Sequence, residues 1–168
     1  MLFRSYGAQI SLRVAASSIV VGLLIGGSLG LAAGYLRGWI DRVVSILVDI
    51  LLAFPALIIS ILIVGRFDVL QANNEAFSWL TRTWSITFVL SLLSIAPIAR
   101  IVRAQTLSLA QREFVLAARS LGAKNGRVIF REILPNLIPA MTSVVFTGIA
   151  ILLVSEGGLA FQIGRAHV

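Results

Sequence analysis

The chain has 168 residues, 58% of them hydrophobic and only 12% charged, with a formal net charge of +7 and a mean hydropathy of +0.99. A water-soluble domain of this length has too little interior to hide so much apolar surface, so a bilayer is the expected solvent. With no cysteine and a single histidine, His167, disulfides, thiolate metal sites and histidine-based catalysis are excluded.

A spanning helix needs roughly twenty apolar residues. Four segments qualify: 14–36, 43–64, 84–101 and 137–154. The apolar run from Ser11 is too long and too continuous to read as a cleavable leader. In the first segment Ser18, Gly22, Gly26, Gly30 and Gly34 recur every fourth residue and form one helical stripe. In lipid such small-residue stripes let a neighbouring backbone approach closely. A static packing surface is the simpler reading, and a helix that slides or lines a translocation path is the functional one.

Arg37-Gly-Trp-Ile-Asp-Arg42 reads as a tight polar turn into the second segment. Asp49 follows near that segment's cytoplasmic end, two turns after Arg42. A carboxylate at this depth has to be paired or wet, so it is a candidate for transport or for a salt bridge that sets helix rotation. Pro55 and Pro97 each interrupt a segment, since proline removes a backbone donor and kinks a helix; a gate and simple shape matching both fit. Ser60, Ser91 and Ser94 have no base nearby to activate them and read as packing hydroxyls. Residues 65–83 form a loop of balanced charge, Arg66 and Arg82 against Asp68 and Glu75, with Asn73, Asn74 and Trp79 suited to a non-cytoplasmic interface.

Seven of the fourteen basic residues, from Arg100 to Arg131, lie in one stretch beside the spans. That distribution marks a cytoplasmic loop rather than a nucleic-acid surface. Parity then places the amino terminus outside, despite Arg4 and Arg13, so a span upstream of Met1 is expected, with a final one also missing. The closing residues Ile163-Gly-Arg-Ala-His-Val168 resemble one reading frame of a sequencing-adapter oligonucleotide and are expected to lie outside the functional domain.

The basic loop carries helical periodicity that a plain connector does not need. Leu107, Ala110, Phe114, Ala117, Ala118 and Leu121 fall on one face of an α-helix. Gly122 suits the residue that ends it, because a left-handed conformation there has little steric cost. Asn125 is placed to cap a second helix with apolar Val128, Ile129 and Ile133, while Arg127 and Arg131 lie on its polar side. Pro135 and Pro139 mark the exit into the last segment. A helix-turn-helix with one apolar and one basic face suits either the anionic inner leaflet or a protein groove, and the small pair Ala117-Ala118 beside Gly122 favours the groove.

This loop resembles the EAA motif of binding-protein-dependent ABC importer permeases: a Glu-Ala-Ala triplet, a glycine four residues on, and a later hydrophobic-Leu-Pro. Ala117, Ala118, Gly122 and Ile133-Leu134-Pro135 match it. Leu116 stands where the glutamate is usual, and Glu113 lies one turn earlier. Tyr6-Gly-Ala-Gln-Ile-Ser-Leu12, Gly38-Trp-Ile-Asp-Arg42, Val48-Asp-Ile-Leu-Leu-Ala-Phe-Pro55, Ala99-Arg-Ile-Val-Arg-Ala-Gln105 and Glu156-Gly-Gly-Leu-Ala-Phe161 are similar to the dipeptide, oligopeptide and nickel branch. The likeness covers nearly all of residues 6–161.

The resemblance implies an all-α polytopic permease domain with a cytoplasmic helix-turn-helix coupling loop. It also implies cytoplasmic ATP-binding subunits gripping the loop at Glu113, Ala117, Ala118, Arg119, Gly122 and Ile133-Leu134-Pro135. A second permease subunit and an extracytoplasmic solute-binding protein complete the set. No nucleic acid, cofactor, metal or catalytic residue is expected. The chain lacks the Gly-x-x-x-x-Gly-Lys-Ser/Thr sequence of a nucleotide site, so ATP hydrolysis would fall to a partner. A membrane scaffold with its basic loop held on anionic lipid is the alternative.

Overall fold

The parallel helices α1, Leu2–Leu36, and α4, Arg82–Leu109, form the spine of the molecule. The structure is a computed structural model that describes residues 2–73 and 82–165, helical throughout except at the turns. The other elements are α2, Gly38–Ala53; α3, Ala56–Asn73; α5, Glu113–Ser120; α6, Asn125–Arg127; a π-helical turn, Val128–Ile133; and α7, Leu134–Arg165.

The glycine stripe explains the spine. A Cβ at Gly26 would collide with the Ile95 carbonyl. At Gly30 it would lie 2.5 Å from the Ala99 carbonyl oxygen, and at Gly34 2.8 Å from that of Arg103. Three glycines four residues apart on α1 therefore face three carbonyls four residues apart on α4. Matched spacing of this kind requires two helices running side by side in the same direction with their backbones nearly touching. Gly22 meets a side chain instead, Ser94, whose hydroxyl donates to the Ser91 carbonyl at 2.7 Å and lies 3.1 Å from that of Ser18. The stripe is thus a packing surface, whatever else α1 does.

Helix α7 runs antiparallel to this pair. Gly148 lets Ile19 of α1 approach, and Leu137, Met141 and Leu152 join Val14, Val89, Leu90 and Val102 in the main apolar core.

The second expected span, 43–64, is not one helix. It is broken at Phe54 and Pro55 into α2 and α3, whose axes differ by 83°. Phe54 is extended at φ −87° and ψ 138°, the region that a following proline imposes on its predecessor. Together the two pieces still traverse the molecule. Asp41 and Asp49 of α2 pair with Arg103 and Arg100 of α4, and further on Phe67 of α3 meets Phe88 edge-to-face at 5.7 Å. Among the described residues, three helices are long and apolar enough to span a membrane, or four spans with the broken pair taken as one.

Several other boundaries also differ from expectation. Pro97 lies inside an unbroken α4 and does not interrupt it. The third span reaches Leu109, so Arg100 and Arg103 belong to a helix rather than to the basic loop. Residues 65–73, read as loop, continue α3. Asn74 and Trp79 lie outside the described residues, as do the last three residues of the adapter-like tail. Helices α3 and α4 extend past the apolar windows because a helix, once nucleated, adds polar residues at little cost.

Candidate functional site

The basic loop folds, but not as the single helix that its periodicity suggests. Helix α4 stops at Leu109, and Ala110, Gln111 and Arg112 make a turn before α5 begins at Glu113. The run 107–121 is therefore split, and its apolar residues do not share one buried face. Val115, off the expected stripe, is the fully buried residue of α5, whereas Phe114, Ala117 and Leu121 are exposed, Leu121 at 88%. The reason is tertiary: α5 turns its Val115 side toward the molecule and leaves the other apolar stripe outward.

Gly122 ends α5 at φ 79°. The Gly122 amide donates to the Arg119 carbonyl at 2.9 Å and the Ala123 amide to that of Ala118 at 3.0 Å, the paired bonds of a Schellman closure. A Cβ on Gly122 would meet nothing within 4 Å, so the need for glycine there is conformational and not steric.

Asn125 does not cap the second helix. Lys124 holds that position without a side-chain bond, and Asn125 is the first helical residue. Its Oδ1 instead accepts a 3.0 Å hydrogen bond from the Tyr35 hydroxyl at the end of α1. The Arg119 guanidinium lies 5.0 Å from the centroid of the same tyrosine ring. Beneath these contacts Tyr35, Ala110, Val115, Val128 and Ile133 form a small buried cluster.

The exit of the loop passes through the π turn. The Leu134 amide reaches back five residues to the Ile129 carbonyl. Pro135 follows at once. The wider turn accommodates a ring that an α-turn would press against the Arg131 carbonyl. Asn136 donates its side-chain amide to the Glu132 carbonyl at 2.7 Å, satisfying one acceptor around the proline. Ile133 is buried, Leu134 half-buried and Pro135 exposed, while Glu113 and Arg119 are exposed at opposite ends of α5.

Next to this element, α2 is tied to α4 by two ion pairs. Asp41 takes two hydrogen bonds from the Arg103 guanidinium, one of them 2.8 Å long, in a half-buried setting. Asp49 pairs with Arg100, not with Arg42, and both side chains of that pair are well exposed. Cutting the first pair should matter more. Asp41→Ala is expected to lower the stability of the purified protein by about 1–2 kcal/mol, because it strands a half-buried guanidinium. Asp49→Ala should cost no more than ~0.5 kcal/mol. Thermal unfolding in detergent separates the two, and equal midpoints would show that the bidentate pair adds nothing.

Tyr35, Asp41, Arg103 and Val115 escaped the sequence reading. Tyr35 left a trace, being the lone aromatic residue within 14–36. The two charges left another, since each sits at the margin of an apolar run. Among the described residues no group of three or more His, Cys, Asp or Glu side chains could hold a metal ion.

Apolar spans that end in an ordered, partly apolar helix-turn-helix on the basic side define a polytopic membrane protein with a folded basic loop. The chain belongs to the family of binding-protein-dependent transport system inner membrane components, whose profile matches residues 26–163. It is 33% identical over 155 residues to the glutathione transport system permease protein GsiD of Pectobacterium atrosepticum, an overlap of 92% of this chain and 48% of that protein. It is also 33% identical over 156 residues to the dipeptide transport system permease protein DppC of Alkalihalophilus pseudofirmus, covering 93% and 47%. The GsiD protein of Shigella dysenteriae is 34% identical over 155 residues, covering 92% and 47%. The chain therefore spans about half the length of the curated relatives it matches.

Proposed function

We propose that the chain is the transmembrane permease component of an ABC importer for small peptides such as dipeptides or glutathione, with residues 6–161 as its permease domain. ATP hydrolysis belongs to separate cytoplasmic subunits that grip the loop from Glu113 to Pro135. A second permease subunit completes the pathway, and an extracytoplasmic binding protein delivers the solute. Support comes above all from the exposed stripe Phe114, Ala117 and Leu121 on an α5 whose opposite side is anchored by buried Val115. An ordered helix that turns its apolar residues away from its own protein is built to meet another surface. The relatives named for glutathione and dipeptide transport support the substrate class.

In mechanical terms, nucleotide binding on the partner shifts α5. The rigid spans then rock and expose the path to alternate sides. Such coupling requires a contact that differs in free energy between the two states. Two measurements test the reading. The tagged transporter, purified in mild detergent, is expected to retain a subunit with vanadate-sensitive ATPase activity. A cysteine placed at Lys124, in a chain with no other, should react with impermeant maleimide in inside-out vesicles and not in right-side-out cells. A loop held only on anionic lipid would retain no ATPase. Labelling from the outer face would reverse the topology and defeat the proposal.

A further inference from the structure

We infer that Tyr35 is the strut that makes the loop a rigid lever, an inference that rests on the coupling role proposed for α5. Helix α5 joins α4 through the turn Ala110-Gln111-Arg112. A push on α5 transmitted through three non-helical residues bends that hinge before it moves α4. The push is transmitted only if α5 is braced against something that does not bend with the hinge.

The end of α1 is such a point, because α1 is seated on α4 backbone against backbone through Gly26, Gly30 and Gly34. Tyr35 stands one residue before α1 ends and is only 6% exposed. Its ring faces the Arg119 guanidinium on the last turn of α5, and its hydroxyl bonds Asn125, the first residue of α6. One side chain thus holds both arms on either side of the Gly122 turn. The ring is also buried with Val115 of α5 and Val128 of the π turn, so the brace combines packing, a cation over an aromatic face and a directional hydrogen bond. Among the described residues, no other α1 side chain makes a polar or cation–π contact with the loop.

The two parts of the brace separate by substitution. Tyr35→Phe keeps the ring, and with it the packing and the Arg119 contact, but removes the bond to Asn125. Tyr35→Leu removes both polar contacts while keeping apolar bulk. The experiment reconstitutes the assembled importer in proteoliposomes and measures ATP hydrolysed and labelled glutathione or dipeptide taken up. The leucine variant should keep its bound ATPase subunit and continue to hydrolyse ATP, while solute moved per ATP falls by about fivefold or more. The phenylalanine variant, which loses only the hydrogen bond, should lose less, about two- to threefold.

A merely structural role would give a different pattern, with less assembled transporter and an unchanged ratio of solute to ATP. That result, or a leucine variant coupled as tightly as the parent, overturns the inference. The parent transporter provides the separating control. If it shows no ATP-driven uptake or retains no ATPase, the coupling reading itself has failed. If it couples normally and Tyr35→Leu does too, only the strut has failed.

Discussion

Alanine at Gly30, like alanine at Gly26, is expected to unseat α1 from α4, and these two should give the largest losses of stability for a single methyl added along the spine. At Gly30 the new Cβ would lie 2.5 Å from the Ala99 carbonyl oxygen, 2.9 Å from the Val102 Cβ and 3.0 Å from the Arg103 amide nitrogen. Two of those three atoms are backbone within a long helix and cannot rotate away. The helices have to separate, and separation opens the whole line of contact from Gly22 to Gly34. Overpacking of this kind costs about 1–3 kcal/mol in soluble cores, and the upper end is expected here. In lipid, close packing is itself the main source of helix association.

Gly27 is the internal control. A Cβ there meets nothing within 4 Å, so Gly27→Ala should be neutral or slightly stabilising through helix propensity. Thermal unfolding in detergent reads the difference. Matching midpoints for Gly30→Ala and Gly27→Ala would refute close backbone approach as the basis of the spine. Gly22 should fall between them, because its nearest neighbours are side-chain atoms of Ser94 and Ile98 rather than backbone.

The largest functional effect is expected at Gly122. Valine there has to adopt φ near 79° or break the Schellman closure. An L-residue held in the left-handed region costs about 1–2 kcal/mol, and a β-branched one more. Nothing surrounds the site, so the penalty is purely conformational, and relief comes from unwinding the end of α5. That end carries Arg119 and Leu121, which face Tyr35 and the exterior respectively. The expected result is ATP hydrolysis that continues while uptake per ATP drops about tenfold, the factor that 1.4 kcal/mol of lost coupling gives. Asparagine tolerates the left-handed region, so Gly122→Asn should restore most of the coupling. A valine variant that transports as efficiently as the parent would remove the turn from the mechanism.

The readability of the loop differs residue by residue. Gly122 was legible because a glycine that follows a helical run signals a left-handed end by itself. Val115 was not. The period-3.6 stripe through Phe114, Ala117 and Leu121 is the stronger amphipathic signal, and in a soluble helix it would be the buried one. Here it faces outward, and periodicity cannot tell an apolar face turned to its own core from one turned outward. Asn125 reads locally as a cap, but Tyr35, ninety residues earlier, takes its side chain for another purpose. Asp49 reads from the sequence as a carboxylate that has to be paired or wet, and the structure pairs it. The partner on its own helix, Arg42, was the nearest in sequence, whereas Arg100 is the nearest in space.

The amino-acid sequence alone determined the solvent, the helical class, the glycine stripe and the position of the glycine turn, whereas Pro55 and Pro97 read alike and only Pro55 stands at a break. What it determined follows from composition or from interactions within a few residues, which local chemistry governs. The tertiary structure decided which helix the stripe faces, that α1 and α4 run parallel, that α2 is tied to α4 through Asp41 and Arg103, and that Tyr35 braces the loop. Those outcomes depend on contacts between residues more than fifty positions apart, and the geometry of such contacts exists only after the backbones have docked.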